Sequence, residues 1–133
     1  MIQGGCQCGK ARYEADSAIS DLSHCHCSMC RKLHGAAYAT FAAVDRDTFR
    51  WSMGEDVLRT YASSDKIDRV FCGLCGSQLL ANYMPEPDLV YLTMGTVDGN
   101  PDYPPDYHQF VASKAPWHEI TDGKPQYDTW PDD

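Results

Sequence analysis

Seven cysteines are the residues in this chain with the clearest chemical potential, and they fall into three closely spaced groups. The groups read CxCG at 6–9, CxCxxC at 25–30 and CxxCG at 72–76. Eight thiolates would complete two tetrahedral zinc sites, so seven leave one position without a cysteine. Zinc with four protein ligands is usually structural, whereas zinc with three keeps a position for water or substrate. The count therefore predicts one structural site and one site capable of chemistry.

The two outer groups have the spacing expected of one shared tetrathiolate site. In the CxxCG group, two intervening residues let both sulfurs face one ion, and the following glycine tolerates a positive φ. In the CxCG group, both sulfurs lie on one side of an extended segment because side chains alternate with a period of two. Structural zinc contributes on the order of 10 kcal/mol to folding in small motifs. The predicted structural ligands are Cys6, Cys8, Cys72 and Cys75.

The middle group supplies the second predicted zinc site, giving two zinc ions per chain. Its ligands are Cys25, Cys27 and Cys30, and Cys30 follows Cys27 by about one helical turn, so their sulfurs can converge on one ion. Three sulfurs from one short segment leave the fourth corner facing away from that segment. We expect this corner to be open to an exogenous ligand.

A histidine is the alternative fourth ligand for the middle group. His24 and His26 flank the cysteines, but strand alternation points them away from Cys25 and Cys27 if the segment is extended. His34 and His108 stay open as ligands of a closed, non-catalytic zinc site. An iron–sulfur cluster fits the spacing less well, and a redox CxxC pair lacks its usual βαβ context.

Short runs rich in Val, Tyr, Phe and Thr dominate the rest of the chain and predict a mainly β fold. Glycine, proline, aspartate and serine separate the runs. Loops are predicted at 84–88 and 101–105, because their prolines fix φ and lack a backbone N–H donor. Strands are predicted at 11–15, 37–44, 48–51, 57–61, 67–71, 77–83, 89–94 and 107–112.

One short helix is predicted over 28–34, with Ser28 as its N-cap and Gly35 ending it in a left-handed conformation. Trp117 is expected in the core. The segment 122–133 contains Tyr127 and Trp130 and is expected either to lie over the body as an aromatic strap or to fray.

Composition favours one soluble domain spanning 1–133. The closely spaced, odd-numbered cysteines favour a reducing, cytoplasmic compartment. The N-terminus has no signal-peptide pattern, and no apolar run is long enough to cross a membrane. A net charge of −8 disfavours binding to nucleic acid or an anionic membrane. A small anionic ligand needs only one or two cations, for which the candidates are Lys10, Arg12, Arg31, Lys32 and Arg69.

Nearly the whole chain resembles the glutathione-dependent formaldehyde-activating enzyme family, also called the CENP-V/GFA domain family. The resemblance rests on the three cysteine motifs in their sequence contexts, which read GCQCG at 5–9, CHCSMCR at 25–31 and RVFCGLCGS at 69–77. It continues through GTVD at 95–98, His108 and SKAPW at 113–117.

The resemblance implies an Mss4-like fold, in which small antiparallel β-sheets surround a structural zinc site, and the same division of the cysteines. It also implies a carbon–sulfur lyase that joins formaldehyde and glutathione reversibly to S-(hydroxymethyl)glutathione. Zinc at the open site could bind the thiol and lower its pKa, with His26, His108 or solvent as proton donor. The alternatives are a non-catalytic carrier of glutathione or its adduct, and a chromatin-type interaction module, which the acidic charge disfavours.

Overall fold

The fold is mainly β, as predicted, with ten strands and one short α-helix in the part of the chain that the structure describes. This computed structural model describes residues 1–131. The strands are β1 (Ile2–Gly5), β2 (Arg12–Ala15), β3 (Asp21–Cys25), β4 (Ala39–Asp45), β5 (Phe49–Met53), β6 (Leu58–Ala62), β7 (Ile67–Cys72), β8 (Gln78–Tyr83), β9 (Leu89–Thr93) and β10 (Tyr107–Gln109). Helix α1 is Ser28–His34, and short 3-10 turns occur at Arg46–Thr48, Glu55–Val57, Met94–Thr96 and Val111–Ser113.

The strands form two sheets. The smaller sheet has the order β1-β2-β5, and the larger has the order β10-β3-β4-β9-β8-β7-β6. Every pairing between neighbouring strands is antiparallel except that of β10 with β3, which is parallel. The parallel pair requires the chain to return from β9 to the far edge of the large sheet. The proline-bearing stretch at 101–105, predicted as a loop, provides part of that connection.

The two faces of the large sheet carry different side chains, because successive side chains along a strand point to opposite faces. One face packs against the small sheet in the main core, where Tyr13, Val44 and Leu92 are fully buried. The other face carries a second buried cluster that includes Cys25, Phe41 and Ala81. This second face is the one that bears the candidate site.

Two strands were not predicted. Strand β1 has one β-branched residue, Ile2, followed by a glutamine and two glycines, and β3 reads Asp-Leu-Ser-His-Cys, so both have few of the residues that signal a strand. They form through pairing with β2 and β4 instead. Strand β10 ends three residues earlier than predicted, because Phe110 adopts a left-handed conformation with φ of 56°.

The predicted bounds of the helix and its glycine end are confirmed, but the predicted N-cap is wrong. Gly35 has φ of 58°. The N-cap is Cys27 rather than Ser28, and its Sγ accepts a hydrogen bond from the backbone N–H of Cys30 at 3.3 Å.

The C-terminal segment lies over the body as an aromatic strap as far as the structure describes it. Backbone hydrogen bonds tie it to β10 and the following turn, and one joins Tyr127 N–H to His108 C=O at 2.9 Å. The Trp130 ring packs on Tyr83 and Phe110 at centroid distances of 5.5 and 4.8 Å. The end of the predicted segment, 132–133, lies outside the described residues.

Trp117 is 71% exposed, so its predicted place in the core is wrong. None of the described helices is both long and apolar enough to cross a membrane.

Candidate functional site

Four cysteine sulfurs from the two outer motifs meet where the β1–β2 loop approaches the turn after β7. The ligand atoms of this four-cysteine cluster all lie within 4.8 Å of one another. The Sγ atoms of Cys6 and Cys8 are 3.5 Å apart, and those of Cys8 and Cys72 are 3.8 Å apart. A zinc–sulfur distance of about 2.3 Å gives a tetrahedron whose edges are about 3.8 Å. The cluster, Cys6, Cys8, Cys72 and Cys75, therefore fits tetrahedral zinc.

Hydrogen bonds to the sulfurs support this cluster. The backbone N–H of Ala11 donates to Cys6 Sγ at 3.3 Å. The hydroxyl of Ser77 lies 3.2 Å from Cys75 Sγ and accepts the N–H of Gln7 at 3.0 Å, so it joins the two motifs. The hydrogen bond from Ser77 lowers the pKa of Cys75 to about 5, which favours the thiolate that binds metal.

The three sulfurs of the middle motif form a second group, at one end of the other face of the large sheet. Strand β3 carries Cys25, the residue before α1 is Cys27, and Cys30 lies in the first turn of the helix. The three ligand atoms lie within 4.8 Å of one another, and Cys25 and Cys30 are buried. Hydrogen bonding from the two neighbouring thiols lowers the pKa of Cys27. This three-cysteine cluster fits a metal ion with one further ligand position.

Among residues 1–131, no histidine nitrogen or carboxylate oxygen lies within 4.8 Å of all three sulfurs of the three-cysteine cluster. His34 lies edge-on against Phe41, with ring centroids 5.7 Å apart. His108 pairs with His26 and Asp122 instead. The closed site with an imidazole from His34 or His108 is therefore not favoured by the geometry.

Arg69 is a buried cation beside the three-cysteine cluster. It is only 3% exposed, and two of its guanidinium nitrogens lie 3.7 and 3.8 Å from Cys30 Sγ. Its Nε donates to the Ser63 hydroxyl at 3.1 Å, and its guanidinium stands 5.8 Å from the centre of the Phe41 ring. Three thiolates and one divalent ion carry a net charge of −1, so Arg69 neutralises the site.

Replacing Arg69 by methionine should weaken metal binding at the three-cysteine cluster by about tenfold to a hundredfold. Loss of a residue that contacts a metal ligand typically lowers the affinity for the metal to that extent. Competition against a chromophoric chelator measures this affinity separately from that of the four-cysteine cluster. Arg50→Met, on the exposed edge strand of the small sheet, is the matched control and should bind metal normally. Equal affinity in both variants would show that Arg69 does not stabilise the site.

A pocket of about 470 Å³ opens above the three-cysteine cluster. The sheet residues that line it share one face of six neighbouring strands, as their pairing registers require. Phe110 and the strap residues Trp130 and Pro131 close one side. The sheet residues are Asp21, Ser23, Cys25, Phe41, Ile67, Arg69, Ala81, Tyr83, Leu89, Tyr91, Tyr107 and Gln109.

The opposite face at the same end of the sheet holds a buried histidine network. His26 is fully buried, and its Nε2 lies 2.8 Å from His108 Nδ1. His108 Nε2 lies 2.8 Å from a carboxylate oxygen of Asp122. Burial lowers the pKa of His26 to about 4, with His108 acting in the same direction, so His26 is neutral at pH 7. The network fixes the C-terminal segment to the cysteine-bearing loop.

A His108→Leu substitution should lower the free energy of unfolding by about 2 kcal/mol, because a buried polar group left without a partner costs roughly 1–3 kcal/mol. The His26 imidazole would then lack its only side-chain partner within the described chain, since Nδ1 has none. Urea denaturation followed by circular dichroism measures the change. Asp122→Asn removes only a half-exposed partner and should cost less than half as much. Equal stability of the two variants would contradict this account.

The structure brings the predicted metal ligands together in two groups but does not bring His26 to the pocket. His26 follows β3 on the face opposite Cys25 and Cys27, and it is not a lining residue. The arrangement therefore does not favour the predicted role of His26 as a proton donor. Arg69, one of five basic candidates, does line the pocket.

Sequence reasoning missed the polar residues of the pocket wall. Asp21 and Ser23 precede Cys25 by four and two residues, so strand alternation places all three on one face. That signal was present in the sequence, but the strand was not recognised. Gln109 reaches the pocket because β10 pairs in parallel with β3, and no local signal predicts that pairing.

Comparisons with known proteins agree with these features. The family model described as glutathione-dependent formaldehyde-activating enzyme matches residues 1–113. A Halomonas elongata protein, described provisionally as a glutathione-dependent formaldehyde-activating enzyme, is 30% identical over 127 residues, covering 90% of this chain and 81% of its own. An uncharacterized lyase of Schizosaccharomyces pombe is 32% identical over 81 residues, covering 61% of this chain and 57% of its own.

Solved structures include one that is similar across almost the full length of this chain. The crystal structure of a Rhodobacter sphaeroides protein has a TM-score of 0.65 and 18% identity to this chain. The match covers 94% of this chain and 98% of the other. At 18% identity, the match shows that the two proteins share a fold and carries no statement about function.

Proposed function

Because the chain belongs to the glutathione-dependent formaldehyde-activating enzyme family, we propose that it is a zinc-dependent carbon–sulfur lyase acting on a thiol–aldehyde adduct. S-(hydroxymethyl)glutathione, formed from formaldehyde and glutathione, is the adduct that the family name suggests. The observation that carries the proposal is the convergence of three cysteine sulfurs in a pocket large enough for a small molecule. Two zinc ions per chain and a single domain over 1–133 are part of this proposal.

The chemistry requires a thiolate and an aldehyde in contact. Zinc held by Cys25, Cys27 and Cys30 would supply an open position that binds a thiol and lowers its pKa. In the forward direction, the sulfur adds to the aldehyde carbon and the carbonyl electron pair moves to oxygen. That oxygen then takes up a proton equivalent to the one lost by the thiol, and the reverse reaction restores both reactants.

The residues of the chain prepare this reaction electrostatically. Arg69 faces Cys30 and offsets the negative charge of three thiolates. The apolar wall, which includes Phe41, Ile67 and Phe110, limits water around the reacting sulfur. No histidine among the described residues lines the pocket, so we assign the proton to exchange with solvent at the pocket opening. A reducing compartment such as the cytoplasm would keep both clusters as thiolates.

Exchange NMR tests the proposal directly. Formaldehyde and a thiol are mixed at equilibrium, and the rates of adduct formation and breakdown are measured with and without the zinc-loaded protein. An enzyme accelerates both directions by the same factor and leaves the equilibrium unchanged. Rates equal to the uncatalysed ones with every thiol tested would reject the lyase.

A non-catalytic carrier of glutathione or its adduct is the second candidate, and the pocket above the three-cysteine cluster is the observation that favours it. A carrier would bind the adduct with measurable affinity while leaving the exchange rates unchanged. The same NMR samples distinguish the two functions, because adduct binding broadens or shifts the protein signals.

A further inference from the structure

The end of the pocket far from the cysteines is acidic. Asp21 lies on the same face of β3 as Cys25 and four residues before it, which places their Cα atoms about 13 Å apart. Glu86, from the loop between β8 and β9, lines the same end of the pocket. Burial raises the pKa of Asp21, and the negative charge of Glu86 acts in the same direction. Both carboxylates therefore contribute negative charge to this end of the pocket.

Each carboxylate is held by a tyrosine and keeps acceptor capacity for a ligand. The Tyr107 hydroxyl donates to Asp21 Oδ2 at 2.9 Å, and the Tyr91 hydroxyl donates to Glu86 Oε1 at 2.8 Å. These are the only side-chain hydrogen bonds of either carboxylate within residues 1–131. An ionised carboxylate can accept about four hydrogen bonds, so both have unused lone pairs.

No lining residue of the described chain offers a free cation to a ligand carboxylate. Arg69 is the basic lining residue, and it is already engaged by Cys30 and Ser63. Arg46 stands near the Glu86 loop but binds the carbonyls of Pro87 and Leu89 instead of lining the pocket. A ligand carboxylate at the acidic end would meet two like charges.

The cysteine end of the pocket presents a side-chain amide without a partner in the described chain. Gln109 is 8% exposed and lies beside Cys25 in the register of β10 with β3. Its side-chain amide makes no hydrogen bond to any residue that the structure describes, although the side chain lines the pocket. An amide can both donate and accept hydrogen bonds, and this one is available to a ligand in the pocket. A peptide group next to the reacting sulfur would supply both an acceptor and a donor.

We propose that the thiol accepted by this pocket is a peptide-like compound that is cationic at the end far from sulfur and has no free carboxylate there. This inference rests on the proposed function for the placement of the sulfur at the three-cysteine cluster. The cation lies between Asp21 and Glu86, which both line the pocket.

Glutathione itself fits this description only in part. It has one ammonium group, far from its sulfur, but it also has two carboxylates and a net charge of −1 at pH 7. Its diethyl ester keeps the peptide and the ammonium while removing both negative charges. Its N-acetylated diethyl ester removes the ammonium as well. The three compounds differ in charge but share the same amide backbone and sulfur.

Isothermal titration calorimetry of the zinc-loaded protein with the S-methyl derivatives of these three compounds tests the inference independently of turnover. We expect the diethyl ester to bind at least tenfold more tightly than glutathione, and N-acetylation to remove that gain. Glu86→Gln should reduce the preference severalfold. The matched control is Glu55→Gln, which changes net charge equally but lies outside the pocket and should keep the preference.

Glutathione binding equal to or tighter than that of its diethyl ester would overturn the inference and would indicate that Arg69 binds a ligand carboxylate. Failure of all three compounds to bind at millimolar concentration would overturn it as well. Exchange NMR with the three parent thiols reports on the proposed function separately. If no thiol is accelerated but the binding order holds, the lyase fails and the ligand class stands. If glutathione is the best substrate, the lyase stands and the ligand class fails.

Discussion

Serine in place of Cys72 is expected to leave the chain unfolded at room temperature. Cys72 is fully buried at the end of β7, and its sulfur belongs to the four-cysteine cluster that joins the β1–β2 loop of the small sheet to the large sheet. Structural zinc contributes about 10 kcal/mol or more to folding in small motifs. A domain of this size has a total stability of about 5–15 kcal/mol, so loss of the site removes most of it. Zinc content and far-ultraviolet circular dichroism measure the outcome.

A chelator titration provides the control for this prediction on the unmodified protein. The three-cysteine cluster should release its metal first, without loss of structure, because it has one protein ligand fewer. The four-cysteine cluster should release its metal later, together with cooperative unfolding. A Cys72→Ser protein that unfolds cooperatively with normal stability would show that the cluster does not support the fold.

Serine in place of Cys27 is expected to reduce thiol–aldehyde exchange to the uncatalysed rate while leaving the fold intact. Cys27 contributes a sulfur to the three-cysteine cluster and is also the N-cap of α1. Serine is among the preferred N-cap residues, so the substitution keeps the cap and removes only the metal ligand. Exchange NMR measures the rate, and thermal unfolding should show a change of a few degrees at most.

Two further variants separate the ligand from the cap. Cys27→Ala removes both, so it should lose activity and also about 1 kcal/mol of stability. Ser28→Ala changes an exposed residue at the start of α1, outside the pocket, and should keep full activity. Accelerated exchange by Cys27→Ser would exclude this cysteine from the reaction.

The division of the cysteines could be predicted because it depends on local spacing. Two residues between Cys72 and Cys75, or one between Cys6 and Cys8, already determine that the two sulfurs can share an ion. The structure brings the sulfurs of these two pairs within 4.8 Å of one another, and metal binding there stays a prediction. The mainly β fold and α1 were also predictable, since strand composition and the left-handed glycine at 35 are local properties.

Strand β3 shows where local reasoning was insufficient. Its residues have weak strand propensity, and the segment is extended because both of its edges are paired, with β4 and with β10. Missing this strand concealed the shared face of Asp21, Ser23 and Cys25. The same strand alternation, once the segment is known to be extended, explains why His26 turns away from the cysteines.

The sequence by itself determined which neighbouring cysteines can share a metal ion, because close spacing within a motif constrains the sulfur positions, whereas folding brings Cys6 and Cys8 to Cys72 and Cys75. Only the tertiary structure decided what surrounds the three-cysteine cluster. The pocket wall combines β3, β4, β7, β8, β9, β10 and the strap, and long-range pairing brings these distant segments together. That assembly, which no local periodicity specifies, places a buried arginine beside the cysteines and two carboxylates at the far end.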